Sequence, residues 1–274
     1  MITTISSPAA GSAQWFDLAE ELDRWGEQGR IATLWWRDDD AAAPSRRLDD
    51  LLAAAGEAPV ALAVIPAQAD RALAARLDRD GHASVGVLQH GWGHRDHAAG
   101  GKKSEFPPSR PAREMAADLS RGRTRLAALF GARALAVLTP PWNRFDDSLL
   151  PLLALSGIRA VSRVKPRRAA WPGAGVFEAN VHVDLVAWRA GRGFVGEAAA
   201  LAGIAGHLQA RRRGSVDGGE PTGILTHHLV QDEATGDFLG RLVALVRSHP
   251  AVQWLDARAV FAPALGGSAA AGPA

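Results

Sequence analysis

The chain has 274 residues, 47% of them hydrophobic, and a formal net charge of +2. This length suits one large α/β domain, with two small domains as the alternative, and the absence of cysteine excludes disulfide frameworks and thiolate metal sites. The basic residues are scattered, with Arg211 to Arg213 as the only run of three arginines, which argues against a nucleic-acid-binding protein. Residues 1–14 lack the parts of an export signal and no stretch suits a membrane span, so we expect a cytoplasmic protein.

Short apolar runs alternate with helical patterns along the chain. The runs predict strands at residues 31–36, 60–65, 83–88, 135–138, 158–162, 176–183 and 223–226. The helical patterns predict helices at residues 15–28, 45–55 with Ser45 as N-cap, 67–78, 110–130, 147–155, 197–212 and 238–248. This repetition is typical of a parallel sheet, and about seven units suit a single distorted (β/α)7-8 barrel. The barrel is assigned to residues 1–262, and residues 263–274 are expected to form a disordered tail.

Polar clusters follow four of the predicted strands. They are Asp38 to Asp40, His90 with His94, Thr139 to Trp142, and Thr226 to His228. In a barrel of this kind the chemistry collects at the carboxyl ends of the strands. Because cysteine is absent, histidine and carboxylate must hold any metal. Together the clusters indicate a metal-dependent hydrolase.

Single clusters admit simpler interpretations. Three adjacent carboxylates repel one another unless a cation or hydrogen bonds absorb the charge, but an acidic turn before a helix explains Asp38 to Asp40 equally well. The spacing of His90 and His94 lets two imidazoles face one ion. Gly91 stands where the zincin pattern needs a glutamate, so that pattern is excluded.

Loop and strand patterns narrow the choice of side chains that could face the active site. Residues 91–108 are too long for a tight βα turn and are predicted to form an active-site loop, in which Asp96 and His97 are interpreted as polar loop residues. Adjacent strand residues point to opposite faces, so at most one of His227 and His228 should face the site.

Taken in order, the clusters resemble the motifs of the polysaccharide deacetylases of the NodB-homology type, the family-four carbohydrate esterases. The family's Thr-Phe-Asp-Asp-Gly is similar to residues 36–40, which implies Asp38 as catalytic base and Asp39 as metal ligand. Its His-Ser/Thr-x-x-His matches His90 and His94, which implies the two imidazole ligands. Its Leu-x-His-Asp resembles residues 225–228, with His227 as the proton donor.

The remaining two motifs match less closely. The family's Arg-x-Pro-x is similar to residues 139–142, but Thr139 stands in place of the arginine that sets the charge of the base, and Arg37 or Arg144 could substitute for it. The fourth motif, an Asp followed four residues later by Trp, is similar to Asp184 and Trp188.

Four residues are implied to contact the substrate: Pro141, Trp142, Asp184 and Trp188. The two tryptophans offer apolar faces for a sugar ring, although a tryptophan near a strand end also suits the core. Asp40 and His228 depart from the family's glycine and aspartate and are predicted to be accessory.

The resemblance covers about residues 31–254 and implies a distorted seven- or eight-stranded β/α barrel with one divalent ion, zinc or else cobalt, nickel or manganese. It implies a hydrolase that removes an N-acetyl or O-acetyl group from a sugar-containing substrate, with water activated by the ion as the nucleophile. Two alternatives stay open: a carbohydrate-binding pseudoenzyme on the same barrel, favoured by the missing arginine, and a metallohydrolase of other small amides.

Overall fold

The computed structural model describes residues 10–79 and 84–266, and the side chains from residue 13 onward within that range. Its strands form one sheet in which all named pairs are parallel. The strands of this part of the chain are β1 (Ala32–Ala41), β2 (Ala61–Val64), β3 (Gly86–His90), β4 (Ala134–Thr139), β5 (Ala160–Val161), β6 (Phe177–Glu178), β7 (Val183–Asp184), β8 (Thr222–Thr226) and β9 (Val252–Trp254).

Helices connect most of these strands and cover the sheet. They are α1 (Ala10–Glu27), α2 (Arg46–Ala55), α3 (Arg71–Arg79), α4 (Ala112–Phe130), α5 (Leu150–Leu155), α6 (Glu197–Arg212), α7 (Glu233–Ser248), α8 (Ala257–Val260) and α9 (Ala262–Leu265). Single 3-10 turns lie at Gly131–Arg133, Pro141–Asn143 and Asp147–Leu149. Among the described residues, no helix combines the length and apolarity that a membrane crossing requires.

The order of the strands explains why the sheet curls into a barrel. It runs β6-β5-β4-β3-β2-β1-β8-β7, with β9 added beside β1. The two outer strands, β6 and β7, follow one another along the chain with only residues 179–182 between them. Such a short connection requires the two ends of the sheet to approach each other, and a parallel bridge between Val164 and Val181 spans part of the closure. The prediction of a distorted (β/α)7-8 barrel is confirmed.

Burial follows from this architecture. In β2 every residue is buried, as expected for a parallel strand covered by helices on one face and by the barrel interior on the other. The apolar face of the helices packs on the outside of the sheet in one large cluster that includes Leu18, Trp36, Leu62 and Leu242. Trp35 and Leu88 belong to a second cluster, which fills the inside. Because apolar side chains fill both faces of the sheet, the polar side chains lie at the ends of the strands.

Most predicted elements occur, with shifted ends. The helix from Glu197 to Arg212 has the predicted bounds, and Ser45 is the N-cap of α2, where its Oγ accepts a hydrogen bond from Leu48 N at 3.1 Å. β9 was not predicted, and α9 occupies the beginning of the segment that was expected to be a tail. Residues 267–274 of that segment lie outside the described residues.

The first strand departs most from prediction, and the departure matters for the site. β1 does not end at Trp36 but continues through the three aspartates to Ala41. Its register with β2 advances three residues, from Asp38 to Ala41, where β2 advances two, from Leu62 to Val64. This is a β-bulge, and Asp40 within it has a positive φ of 71°. A bulge interrupts the alternation of side chains, so two neighbouring aspartates can face the same side.

Candidate active site

A cavity of about 410 Å³ opens at the carboxyl ends of the central strands. Its walls contain eight of the candidate residues: Asp39, Asp40, His90, His94, Trp142, Asp184, Trp188 and His227. Arg144, which was predicted to be accessory, lines the same cavity. Asp38 and His228, by contrast, are buried beneath it and are not part of its lining. The barrel therefore gathers most of the predicted side chains in one place.

Three of these side chains form a group whose ligand atoms lie within 4.8 Å of one another: Asp40, His90 and His94. Asp40 Oδ1 is 3.1 Å from His90 Nε2 and 3.3 Å from His94 Nε2. Both imidazoles were expected here, but the carboxylate is Asp40, where Asp39 was expected. The physical reason is the bulge in β1, which turns Asp40 toward the two histidines.

The hydrogen bonding of His90 shows that this group fits a metal ion. His90 Nδ1 lies 2.9 Å from the carbonyl oxygen of Thr139, which can only accept, so Nδ1 carries a proton. In the neutral ring the lone pair of Nε2 then faces the carboxylate of Asp40, and two electron-rich atoms oppose each other. Only a proton or a cation between them makes the arrangement favourable. Thr139, which stands where the family's third motif has arginine, thus orients the His90 ring through its backbone carbonyl.

The pKa values of this group report the same electrostatics. Burial would raise the pKa of Asp40, but the hydrogen bond from His90 and the charges of the surrounding histidines outweigh it and lower the pKa to about 2. Burial lowers the pKa of His90, but the hydrogen bond to Asp40 and the nearby carboxylates raise it above its ordinary value overall. Burial and the neighbouring His90 lower the pKa of His94. Asp40 therefore remains an anion that attracts positive charge.

Asp39 occupies a different position, next to a buried arginine. Its two oxygens accept hydrogen bonds from Arg37, at 2.8 Å from Nε to Oδ1 and at 3.0 Å from Nη2 to Oδ2. Arg37 is itself fixed by bonds to Ser162 Oγ at 2.7 Å and to Asn143 Oδ1 at 2.6 Å. Because residues i and i+2 of a strand lie on one face, Arg37 can reach Asp39 without help from another strand. A guanidinium therefore contacts Asp39 from within β1, whereas residues 139–142 contain no arginine.

Asp38 was expected to be the catalytic base, but the structure places it in the interior. Its Oδ2 accepts hydrogen bonds from Thr226 Oγ1 at 2.7 Å and from His228 N at 2.9 Å, and its Oδ1 pairs with His228 Nδ1. Burial lowers the pKa of His228, but the charge of Asp38 and the hydrogen bond to it raise the pKa overall. The pair ties β1 to the end of β8 and has no access to the cavity.

His227 lines the cavity and His228 does not, although β8 ends at Thr226 and strand alternation, on which the sequence prediction relied, does not extend to either residue. Its ring meets the ring of Trp188 edge to face, with centroids 4.7 Å apart. Trp188 Nε1 donates to Asp184 Oδ2 at 2.7 Å, which fixes the indole while leaving 44% of the residue exposed. His227 Nδ1 is buried and has no hydrogen-bond partner among the described residues. This half of the cavity offers an imidazole ring beside an exposed aromatic face.

The residues around Trp142 form another part of the cavity wall. The Trp142 ring lies 4.5 Å from the ring of His94, and its backbone has a positive φ of 56° within the turn that follows Pro141. Arg144, one of the two expected substitutes for the missing arginine, does not reach the carboxylates and instead donates to the carbonyl oxygen of Lys103 at 2.8 Å. Lys103 Nζ lies 5.9 Å from the centre of the Trp142 ring.

Glu105 is a functional candidate that sequence reasoning missed. Although only 1% exposed, it accepts hydrogen bonds from the backbone N–H groups of Trp92 at 3.1 Å and Gly93 at 2.8 Å. It also explains why Gly91 replaces the family's Ser or Thr: a Cβ there would lie 1.8 Å from Glu105 Oε2, and the φ of Gly91 is +61°. Glu105 shapes the turn that carries His94. The glycines around Trp92 are the signal that such a close contact exists.

The protein resembles known proteins in its fold, not in its overall sequence. No family model and no curated protein matches the sequence. Among solved structures, one from Mycobacterium smegmatis with the provisional name polysaccharide deacetylase has a TM-score of 0.58 and 18% identity, over 90% of this chain and 96% of that one. A family-four acetyl xylan esterase from Clostridium thermocellum, in complex with cobalt, has a TM-score of 0.50 and 14% identity, over 84% and 91% of the two chains.

A third match is a mutant of a pseudoenzyme of carbohydrate esterase family 4 with restored enzymatic activity. Its TM-score is 0.51 at 12% identity, and the match covers 82% of this chain and 65% of that one. At such identities these likenesses show that the chain has the fold of the family-four deacetylases. The resemblance predicted from the motifs is confirmed at the level of fold.

Proposed function

We propose that the protein is a metal-dependent deacetylase that hydrolyses an N-acetyl or O-acetyl group of a sugar-containing substrate. The observation that carries the proposal is the convergence of one carboxylate and two imidazoles on a point that requires positive charge, in a cavity with aromatic walls. The fold, shared with structures named as deacetylases and esterases, supports the same activity.

Asp40, His90 and His94 would hold the ion. Two imidazole nitrogens and a carboxylate oxygen suit zinc, and cobalt, nickel and manganese accept the same ligands. Zinc is our first choice, and the cobalt ion in the acetyl xylan esterase structure supports a metal of this class. When bound, such an ion acidifies a coordinated water and polarises the carbonyl group of the substrate.

Asp39 would act as the general base. It lines the cavity directly beside Asp40, and the bidentate contact with Arg37 fixes the direction of its carboxylate. Each of its oxygens keeps a further lone pair with which to accept a proton from the attacking water. This assignment moves each role of the first motif by one residue, from Asp38 and Asp39 to Asp39 and Asp40. Ala41 then stands where the family has glycine.

His227 would act as the general acid. It lies in the same cavity, and its ring can carry a proton to the departing nitrogen or oxygen of the substrate. The exposed face of Trp188 beside it would bind the sugar ring, and Trp142 would provide a second aromatic surface of the same cavity. The backbone N–H of Trp142 is the candidate donor to the developing oxyanion, because prolines 140 and 141 have none.

The two alternatives are weakened by specific contacts. The pseudoenzyme hypothesis rested on the missing arginine, and Arg37 places a guanidinium against Asp39. A metallohydrolase of other small amides would use the same ligands and proton carriers. The aromatic walls of the cavity favour a sugar.

Acetate release from N-acetylated and O-acetylated sugars by the zinc-loaded protein tests the proposal. Asp39→Asn should reduce kcat by about a thousandfold, because the base is lost while the metal ligands remain. Asp38→Asn makes the same chemical change one residue earlier and should lower the stability of the protein far more than kcat. The assignment fails if Asp38→Asn abolishes turnover while Asp39→Asn retains it, and the activity fails if the zinc-loaded protein cleaves none of these sugars.

A further inference from the structure

An open groove of about 920 Å³ adjoins the cavity of the candidate active site. The two spaces share three lining residues: Asn143, Arg144 and Val164. The walls of the groove come from residues 98–109, 143–147 and 163–180. A substrate larger than one sugar ring would therefore extend from the cavity into this groove.

Lysine is concentrated here. The chain has only three lysines, at positions 102, 103 and 165. Lys102 and Lys165 line the groove, and Lys103 lies over Trp142 at the entrance to the cavity. Lys165 also adopts a φ of +77°, which a glycine would adopt with less strain. These lysines come from separate chain segments, so the folded structure is what brings them together.

The cations of the groove fall into two groups. Arg163 pairs with Asp147 and Glu178, and Arg167 pairs with Asp217. Four others have no carboxylate partner in the part of the chain that the structure describes: Lys102, Arg144, Lys165 and Arg168. Asp146, the remaining carboxylate on the walls, accepts hydrogen bonds from Ser148. The groove thus presents an excess of positive charge, contributed by three separate chain segments.

We propose that the substrate carries a phosphate group, which binds in this groove while its acetyl group occupies the cavity. Cations from several chain segments suit an anion with two charges and several acceptor oxygens better than a single carboxylate. Clustered like charges that have no partner repel one another, and a phosphate would relieve that repulsion. The inference rests on the proposed function, since it names the substrate class of the same site. The phosphate can belong to a sugar monophosphate or to a nucleoside diphosphate sugar.

Matched substrates test the proposal. Acetate release by the zinc-loaded protein would be measured for N-acetylglucosamine, its 1-phosphate, its 6-phosphate and its uridine diphosphate ester. We expect a kcat/KM at least about tenfold higher for one phosphorylated form, and a preference that shrinks as ionic strength rises. Which form is preferred distinguishes the two sources of phosphate.

Substitutions inside and outside the groove test whether the phosphate binds there. Lys165→Glu should reduce the preference for the phosphorylated substrate by about tenfold, and Lys165→Arg should retain it. Arg247→Gln removes an exposed arginine near the end of α7, outside the groove, and should leave the preference unchanged. Binding of pyrophosphate, measured by calorimetry on the wild type with and without zinc, provides a readout independent of turnover. We expect saturable binding in both states that Lys165→Glu weakens.

The outcomes separate the two proposals. Equal kcat/KM for neutral and phosphorylated sugars, together with no pyrophosphate binding, would overturn the phosphate site and leave the deacetylase intact. Pyrophosphate binding that depends on Lys165, with no acetate released from any substrate, would support the groove and overturn the proposed activity. A preference for phosphate that survives Lys165→Glu unchanged would show that the anion binds elsewhere.

Discussion

Among the residues that the structure describes, two clusters contain two histidines and one carboxylate, and only one of these two suits a metal ion. The first, Asp40 with His90 and His94, lies at the carboxyl ends of the strands. The second, which we call the α6 cluster, contains His182, His207 and Glu220, next to the first residues of β8. Distances alone do not distinguish them, since in both the ligand atoms lie within 4.8 Å of one another.

The difference lies in which ring nitrogen carries the proton. In the α6 cluster, His182 Nδ1 accepts a hydrogen bond from Gly223 N at 2.9 Å, so the proton of the neutral ring is on Nε2, 3.2 Å from Glu220 Oε2. In the active-site cluster His90 Nδ1 donates to a carbonyl oxygen, so Nε2 presents a lone pair. In the α6 cluster a ring N–H lies near the carboxylate without a hydrogen bond to it, whereas in the other cluster a lone pair faces the carboxylate.

The surroundings of the α6 cluster reinforce the difference. Glu220 also accepts from the backbone N–H of Arg167 at 2.9 Å and of Asn180 at 2.8 Å. Burial, His182 and the nearby Arg211 lower the pKa of His207 to about 3, so its ring is neutral. A carboxylate with donors on both oxygens has little to offer a cation. Backbone partners, more than residue types, therefore decide whether such a group is structural or metal-binding.

The largest expected difference is in metal affinity. Replacing His90 and His94 together with alanine should weaken zinc binding by more than about a thousandfold, because two of three ligands are lost. His207→Ala, the matched change in the α6 cluster, should leave zinc affinity and stoichiometry unchanged. Calorimetric titration of zinc into the three proteins measures both. A loss of one bound zinc in His207→Ala would contradict the distinction between the clusters.

A smaller effect is expected on stability. Glu220→Gln places an amide NH2 group against buried N–H donors and should reduce the free energy of unfolding by about 2 to 4 kcal/mol. Chemical denaturation of the metal-free protein measures this change. Zinc affinity of the folded variant should equal that of the wild type. If Glu220→Gln instead lost metal without losing stability, the α6 cluster would be the metal site.

The smallest effect concerns pH. In the metal-free protein Asp40 raises the pKa of His90, so below that raised pKa a proton occupies Nε2 and must leave before a metal binds. Zinc affinity should therefore fall by about tenfold per pH unit as the pH drops below the pKa of His90, and level off above it. His94, whose pKa is lowered, adds little near neutrality. Titrations at several pH values test this, and a flat profile through neutrality would contradict it.

Sequence patterns predicted the barrel well because its determinants are local. Apolar runs of strand length, a serine N-cap and helical periodicity are properties of short segments, and Ser45 and α6 lie where the patterns placed them. Short strands were harder to predict from the sequence. β9 has only three residues, of which Val252 alone is buried, so its apolar signal is weak.

The sequence predicted which residue types surround the cavity, but it placed the carboxylate that faces the histidines one residue too early, at Asp39 in place of Asp40. Which aspartate faces the histidines depends on the bulge at Asp40. The bulge arises from the pairing of β1 with β2, so the residues next to Asp40 in the sequence do not predict it. The contact between Arg37 and Asp39 could have been inferred, because i and i+2 share a strand face. The contact of Glu105 could be inferred only in part, because the glycines around Trp92 indicate a close contact but do not identify the residue that makes it, 12 residues from Gly93.

The contact of Arg37 with Asp39 also bears on how related chains are found. Ten residues of β1 carry the proposed base, its guanidinium and the proposed metal carboxylate on one continuous segment. The turn after β4 is thus free of the arginine that marks the family's third motif. A search pattern of Arg-x-Asp-Asp, followed some fifty residues later by His-x-x-x-His, would recover such chains where the standard signature passes over them.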